Sequence, residues 1–457
     1  MSLISLLSIA RSALLEQQRA MAVTSHNVAN ANTPGYTRQR LDLVSETPDQ
    51  SPWGAIGRGV TDTGITRIRD AFLDISVRGD SGSLGNAQTR FDLLSTVNSA
   101  LMEPSDSSIG AAFDGMMQSF ADLANDPTSG PQRELTRAAA QRFVDQMHRV
   151  SGSIDQAQQE GISRLQSQVS DVNQLADQLA QLNNKIAGSG AANSPDLMDQ
   201  RDNLIDQLST YGSVQVTPQS DGSVNIRFGD VSLVEGGQSH SLSVVPVGGG
   251  WGVGTTPTGP AVNTGAGSLS ALTDLVTHTL PGMKAQLDAF ANAAVTQVNN
   301  LHRLGYTLNG STGVDFFDPA GTTAGNIQLS AAVQGSTDQI AAASTAAPGD
   351  GNTALALSAL GNQQILSLGG KTMREYYNGF AADIGAGVQN ADQDVSVQQT
   401  LRDHDDGLRQ SVGGVSVDEE MVNLIGQQQA YSAAAKIVTA ADTMLQTLLN
   451  MTTATGA

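Results

Sequence analysis

A mainly α chain with a β insert, nested rather than serial in its domains, is the fold class predicted by the 457 residues, and three observations carry it. Both chain ends repeat core-like residues in alternating steps of four and three, the pattern of a coiled-coil-like helix. Between about Gln132 and Ala187 there is no Pro and little Gly, which suits a long rod or bundle helix better than a compact globule. Only at Tyr211 does the period change to the alternation of strands.

Taken in order, the N-terminal seam runs through Leu3, Leu7, Ala10, Leu14, Gln17, Met21, Thr24 and Val28. HNVANANTPGYTRQR ends this helix: Asn27, Asn30 and Asn32 suit caps and turns, and Pro34-Gly35 forces a turn before Tyr36. Residues 36–83 read as an extended linker segment with short strands, and helix is expected again from about Leu84. Residues 84–210 are helical with breaks at Glu103-Pro104, Asp126-Pro127 and the GSGAANSP stretch ending at Pro195. The long helix carries a second seam at Leu165, Val169, Val172, Ala176, Leu179, Asn183 and Ile186.

From 211 to 280 a β domain is expected, with Val214 and Val216, then Val224, Ile226 and Phe228, at strand spacing around an Asp221-Gly222 turn. Helix resumes at 281–303. Residues 304–370, rich in Gly, Ala, Ser and Thr, are assigned little regular structure. Segment 371–415 returns to the helical domain and breaks at Gly413-Gly414. The last helix carries the seam Met421, Leu424, Gln428, Tyr431, Ala435, Val438, Asp442, Leu445 and Leu449, with Asp418, Glu419 and Glu420 at its N-terminus, where the helix dipole favours negative charge. Chain ends usually fray unless something ties them down, so seams at 1–35 and 416–457 are expected to form one terminal-helix core domain or to pack on neighbouring subunits.

Composition narrows the function. Lys and Arg number 24 against 44 Asp and Glu, a net charge of -20, so phosphate backbones and anionic lipid would be repelled: no nucleic acid, no membrane. Cys is absent, which excludes disulfides, thiolate metal sites and cysteine nucleophiles. The first segment lacks a basic stretch and a small-residue cleavage site, so no secretory signal peptide is read there. With aromatics at 4% and charged residues at 15%, the core looks thin.

No constellation of residues supports catalysis or a cofactor. The six His, at 26, 148, 240, 278, 302 and 404, make no HExxH and no i, i+4 pair, so no metal site is expected. Arg402 to Gly407 suggests a calcium loop, but an EF-hand alignment from Asp403 puts Gly407 at position 5 and Gly414 at position 12, where a bidentate Glu is needed. RGDSGS at Arg78 to Ser83 lacks the β-barrel setting of a serine protease; a turn with Ser81 or Ser83 near a helix N-cap accounts for it. GGGWGVG at Gly248 to Gly254 has no phosphate-loop Lys and fits a hairpin around Trp251.

HNVANANTPGYTRQ and SVDEEMVNLIGQQQAYSAAAKIVTAADTMLQTLLNM resemble the terminal motifs of the bacterial flagellar axial family of rod, hook and hook-associated proteins. The Ser-Val-Asp-Glu-Glu entry to the last helix, DQRDNLIDQLSTYGSVQV at Asp199 to Val216 and LGYTLNGSTGVDFFD at Leu304 to Asp318 look most like the hook-associated members. The resemblance implies a non-enzymatic, extracellular subunit of a ring or tubular polymer at the hook–filament junction. Its partners would be itself, the hook protein, a second junction protein on the filament side and, at the C-terminal region, a flagellar export chaperone. Export would use the flagellar type III channel without a cleaved signal.

Carried over residue by residue, Asn27, Asn30, Asn32, Pro34, Gly35 and Tyr36 would shape the turn leaving the core helix. Leu3, Leu7, Leu14, Met21, Val28, Met421, Leu424, Tyr431, Val438, Leu445 and Leu449 would make the polymer contacts. Larger members carry a further outer β domain, which the roughly 70 residues of β pattern at 211–280 leave no room for. The competing readings are another axial protein, hook or rod, or a secreted adhesin or effector using the β insert or Arg78-Gly79-Asp80.

Overall fold

The computed structural model describes residues 3–51, 54–189, 194–347 and 349–454. Helix dominates, with small antiparallel sheets between long terminal helices. In chain order the elements are α1 (Leu3–Ala29), β1 (Gln39–Ser45), β2 (Asp49–Ser51), β3 (Gly54–Ile56), β4 (Val60–Arg67), α2 (Ala71–Leu101), α3 (Ile109–Asn125), α4 (Gly130–Ser189) and α5 (Pro195–Ser209). Then come β5 (Val214–Pro218), β6 (Val224–Phe228), β7 (Val231–Glu235), β8 (Gln238–Ser239), β9 (Ser243–Val247) and β10 (Gly250–Gly254). The rest are α6 (Ser268–Asp274), α7 (Leu280–His302), α8 (Ala331–Gly335), α9 (Asn352–Ala359), β11 (Gln364–Ile365), β12 (Lys371–Thr372), α10 (Met373–Gly413) and α11 (Val417–Ala454). None of these helices is long and apolar enough to cross a membrane.

Two compact units are built from interleaved segments, one from residues 1–82, 172–241 and 399–457, the other from 83–171 and 242–398. In the first unit α1 and α11 pack antiparallel: Asn27 meets Glu420 and Thr24 meets Gln427, while Leu3 lies by Met444 and Leu448. β1 pairs with β4, its register shifting between Asp42 and Leu43, and both strands pack on α1. β5 to β8 form a four-stranded meander in which Val224, Ile226 and Phe228 alternate inward. Asn183, a polar member of the α4 seam, is buried because its amide bonds Val224 O, Gly236 O and Val224 N, tying α4 to the meander.

The second unit has a full core of its own. Seven of the ten Phe residues, at 113, 120, 143, 290, 316, 317 and 380, cluster there with Tyr377. The thin core expected from composition is thus a property of the terminal helices, because the few aromatics are concentrated elsewhere. Segment 304–370, expected to be irregular, supplies Phe316, Phe317, Ile327, Leu329, Val333 and Ile340 to this core. Side chains of α7 make the hydrogen bonds that long strands or helices would otherwise supply: Asn299 bonds Phe316 N, Phe317 N and Phe317 O, and His302 bonds Val314 O and Ala341 N.

Two boundaries differ from the sequence reading. Helix α2 begins at Ala71 rather than near Leu84 and continues through Gly79, Gly82 and Gly85, because burial of Val77 and Ala87 outweighs glycine's helix penalty of about 1 kcal/mol per residue. Residues 268–280, expected within the β domain, are helical: α6, a π-helical turn at Leu275–Thr279 and the start of α7. Its β9–β10 hairpin packs against this turn, where the Thr277 hydroxyl donates to Trp251 O at 3.0 Å.

Candidate functional site

The end of α1, the strap of residues 36–40 and the α10–α11 joint meet at one buried amide. Asn27, 1% exposed, uses its whole hydrogen-bonding capacity. Its Oδ1 accepts from Gln39 N (3.0 Å) and the Tyr36 hydroxyl (2.8 Å), and its Nδ2 donates to Gln39 O (2.9 Å) and Glu420 Oε2 (3.1 Å). Glu420, 2% exposed, accepts from Arg38 Nε at 2.7 Å on its other oxygen, and Arg38 also reaches Glu419 (2.9 Å). Arg38 N donates to Gly413 O, closing the strap on the joint.

Local chemistry shapes the approach. Thr33 to Tyr36 form a turn closed by Tyr36 N donating to Thr33 O, with Pro34 at its second position and Gly35, at φ +73°, at its third, the type II pattern. Conformation requires glycine at this φ, and a Cβ there would lie 2.0 Å from Asn203 Oδ1, so the Asn203 side chain would also have to move aside. Burial, with Asp196, Asp199 and Glu420 nearby, pushes the Tyr36 hydroxyl well above its ordinary pKa, so it stays a donor to Asn27.

Behind the strap lies an ionic network absent from the sequence reading. Arg67 bonds Asp199 and Asp202, each at 2.7 Å; Arg69 pairs with Asp74 and Asp202; Arg78 and Arg409 both hold Asp206. With Arg201 and Asp406, five arginines face five aspartates, so the cluster is neutral. Asp199 also accepts from Thr37 N (2.9 Å) and Thr37 Oγ1 (2.6 Å), fixing the strap to α5. Burial first, then repulsion from Arg67, Arg69 and Arg78, lowers Arg201 to about 10. The readable sign was Asp199, Asp202 and Asp206 at i, i+3, i+7 on one helix face, which looks like a solvated stripe until its cations arrive from β4, α2 and α10.

The sequence-predicted positions fall on two faces. In α1, Leu3, Leu7, Leu14, Met21 and Val28 are half-buried, while Ala10, Glu16, Val23, Thr24 and Asn27 are buried. In α11, Leu424, Tyr431, Val438 and Leu445 face α1, but the intervening inward positions are Glu420, Gln427, Ala434 and Ala441, each one residue before the expected set. Met421, at 45% exposure, lies outside that row with Val422, Ile425 and Ile437, while Met444, Leu448, Met451 and Leu449, the last at 63%, are exposed toward the end of α11. At the far end of the pair, Leu3, Ala440, Met444 and Leu448 line an apolar cavity of about 610 Å³. In the motif, Asn30 caps α1 by donating to His26 O, whereas Asn32 and Pro34 are exposed.

The other motifs find plain places. Arg78-Gly79-Asp80 lies within α2 with Arg78 engaged to Asp206, not in the expected turn, because the helix starts earlier. Arg402 to Gly407 is part of α10, where Asp406 holds Arg409 and Gln410. Among the described residues no three His, Cys, Asp or Glu are grouped to hold a metal ion.

Family models match three stretches: the flagellar hook-associated protein FlgK helical domain at residues 94–317, the flagellar basal body rod FlgEFG protein C-terminal at 411–451, and the flagella basal body rod protein at 7–37. The chain is 31% identical to flagellar hook-associated protein 1 of Bacillus subtilis (strain 168), the match covering 97% of each. It is also 31% identical to the protein of that name from Salmonella typhimurium, over 68% of this chain and 59% of that relative. Among solved structures, the flagellar hook junction protein FlgK from Burkholderia pseudomallei shares the fold at a TM-score of 0.66 and 17% identity, over 74% of this chain and 100% of that one.

Proposed function

The chain belongs to the flagellar hook-associated protein 1 family, and on that footing we propose that it is a structural subunit of the bacterial flagellum that forms the junction between hook and filament by packing its terminal helices among copies of itself. The observation that carries this reading is the apolar surface that α11 leaves exposed, at Met421, Val422, Ile425, Ile437, Met444, Leu448, Leu449 and Met451. α1 covers only part of α11, so the remaining apolar surface calls for a second layer of helices.

In this reading the hook protein lies on one side of the ring and a second junction protein on the other. An export chaperone covers the C-terminal helix before assembly, and the chain travels through the flagellar export channel to the extracellular hook tip. Its role is mechanical rather than catalytic. The helical domain matched at 94–317 favours a hook-associated subunit over a rod or hook component, and the engagement of Arg78 within α2 disfavours adhesion through Arg78-Gly79-Asp80.

Immuno-electron microscopy of intact flagella, in a strain carrying this chain as its junction protein, tests the reading. Label is expected at the distal end of the hook, and label elsewhere overturns the assignment. Ile425→Asp with Ile437→Asp should leave the purified chain folded while abolishing incorporation and motility.

A further inference from the structure

We propose that Asn309 is a site of spontaneous covalent modification, deamidation, whose rate is set by opening of the turn that Thr307 closes. The segment LGYTLNGSTGVDFFD contains Asn309-Gly310, one of two Asn-Gly pairs in the sequence; the other is Asn378-Gly379. Such pairs are the natural place for this reaction, because the attacking nitrogen belongs to a residue with no Cβ to crowd the ring that forms.

Both asparagines are exposed, so the two pairs differ in conformation rather than in access to water. Asn378-Gly379 lies inside α10, where the Gly379 nitrogen belongs to the helical ladder and attack requires part of the helix to open. Asn309-Gly310 lies in a loop exposed from Leu308 to Gly313. Three bonds close that loop: Gly310 N donates to Thr307 O at 2.9 Å, Thr307 N to Ser311 O at 2.8 Å, and Ser311 N to Thr307 Oγ1 at 3.0 Å. A Cβ at Gly310 would meet nothing within 4 Å, so there is room for a ring on that side. An exposed turn opens at much lower cost than the interior of a helix.

The chemistry needs only water and hydroxide. Gly310 N gives up its proton and attacks Asn309 Cγ; the Cγ–Nδ2 bond breaks and ammonia leaves, forming a five-membered imide. Water then opens the imide. Attack at Cγ gives aspartate, whereas attack at the main-chain carbonyl of residue 309 gives isoaspartate, whose chain runs on through Cγ. Isoaspartate lengthens the main chain by one carbon between residues 309 and 310, which the 307–311 closure does not span unchanged. The loop is tied down by Leu308 N donating to Asp338 O at 3.0 Å and Tyr306 N to Ala343 O at 2.8 Å, so the modification would loosen it from segment 338–343.

The test is peptide mapping by mass spectrometry of the purified full chain, aged in warm, mildly alkaline buffer. Asn309 should convert about tenfold or more faster than Asn378, at a rate proportional to hydroxide, and the two rates should converge in concentrated urea. Thr307→Val, which removes the hydroxyl that holds Ser311 N, should speed conversion at Asn309 severalfold and leave Asn378 unchanged; Asn309→Gln should abolish it. Equal rates in the folded chain, or conversion mainly at Asn378, overturns the proposal. So does a preference for Asn309 that urea leaves intact, which would trace it to neighbouring residues rather than to the turn, or a Thr307→Val rate equal to that of the unaltered chain. The urea comparison uses no variant and stands even where Thr307→Val does not fold.

Discussion

Asn27 and Glu420 stand 393 residues apart in the chain and share a 3.1 Å hydrogen bond at a point where both are buried. That bond joins the end of the first helix to the start of the last, and it sets the register of the pair in the way a single polar residue does in a coiled coil. Asn27→Asp replaces the donor with a second carboxylate beside Glu420 and should cost about 3 kcal/mol. Amide exchange in the last turn of α1 and the first turns of α11 should accelerate together. Unchanged protection at both ends would show that the bond does not hold them.

Gly35 carries a backbone penalty for any side chain. Gly35→Ala should lose about 1 kcal/mol for the left-handed backbone, while the Asn203 side chain moves aside at small cost. In urea unfolding, Asn203→Ala in the same chain should leave that loss nearly unchanged. A loss that Asn203→Ala mostly returns would show that the collision, and not the backbone, sets the requirement.

Asp199 holds Thr37 through two bonds and shares Arg67 with Asp202, so Asp199→Ala leaves Thr37 N without its carboxylate and Arg67 with Asp202 alone. A loss of about 2 kcal/mol is expected. A thermal melt of the full chain checks it, and a change below about 0.5 kcal/mol, the surface-substitution range, would mean the network contributes nothing.

His302 is fully buried; Ala341 N donates to its Nε2 at 2.8 Å, so the proton sits on Nδ1 and is donated to Val314 O at 2.7 Å. Burial lowers its pKa from 6.5 to about 4. A lowered histidine pKa means that the unfolded chain binds the proton more readily. Its stabilising contribution is therefore complete above pH 6.5 and is lost as pH falls toward 4, by about 3 kcal/mol in all. Nitrogen NMR should find the neutral Nδ1–H form at pH 5; titration of His302 near 6.5 would contradict this geometry.

The terminal pair is held at one end by polar bonds and along its length by small residues such as Ala10, Ala434 and Ala441. Such a seam buries little area, so residues 3–28 and 421–449 should exchange quickly in the dilute monomer and slowly in assembled flagella. Equal protection in both states would end the idea that these helices gain their stability on assembly.

Much of the chain was legible in advance because the signals are local. Pro104, Pro127 and Gly413-Gly414 mark where α2, α3 and α10 give way, and Asp221-Gly222 marks the β5–β6 turn. The terminal seams follow from spacing alone. Their detail did not: at Glu420 and Gln427 the α11 seam turns one residue away from the apolar pattern, because these polar groups find partners in Asn27 and Thr24. A pattern that scores hydrophobicity cannot anticipate a buried carboxylate whose partner lies on the opposite chain end.

The sequence by itself determined that both ends are helical, that a turn at Pro34-Gly35 follows the first, and that β structure sits inside a helical frame, since each depends on residues within a few positions of one another. Tertiary structure alone decided that the three aspartates of α5 meet arginines from β4, α2 and α10, that Asn27 is saturated by the joint of the last helices, and that the largely irregular segment 304–370 supplies side chains to a core. Those outcomes depend on desolvation and on partners distant in the chain. Burial removes water as the alternative partner, and only the assembled fold fixes which group replaces it.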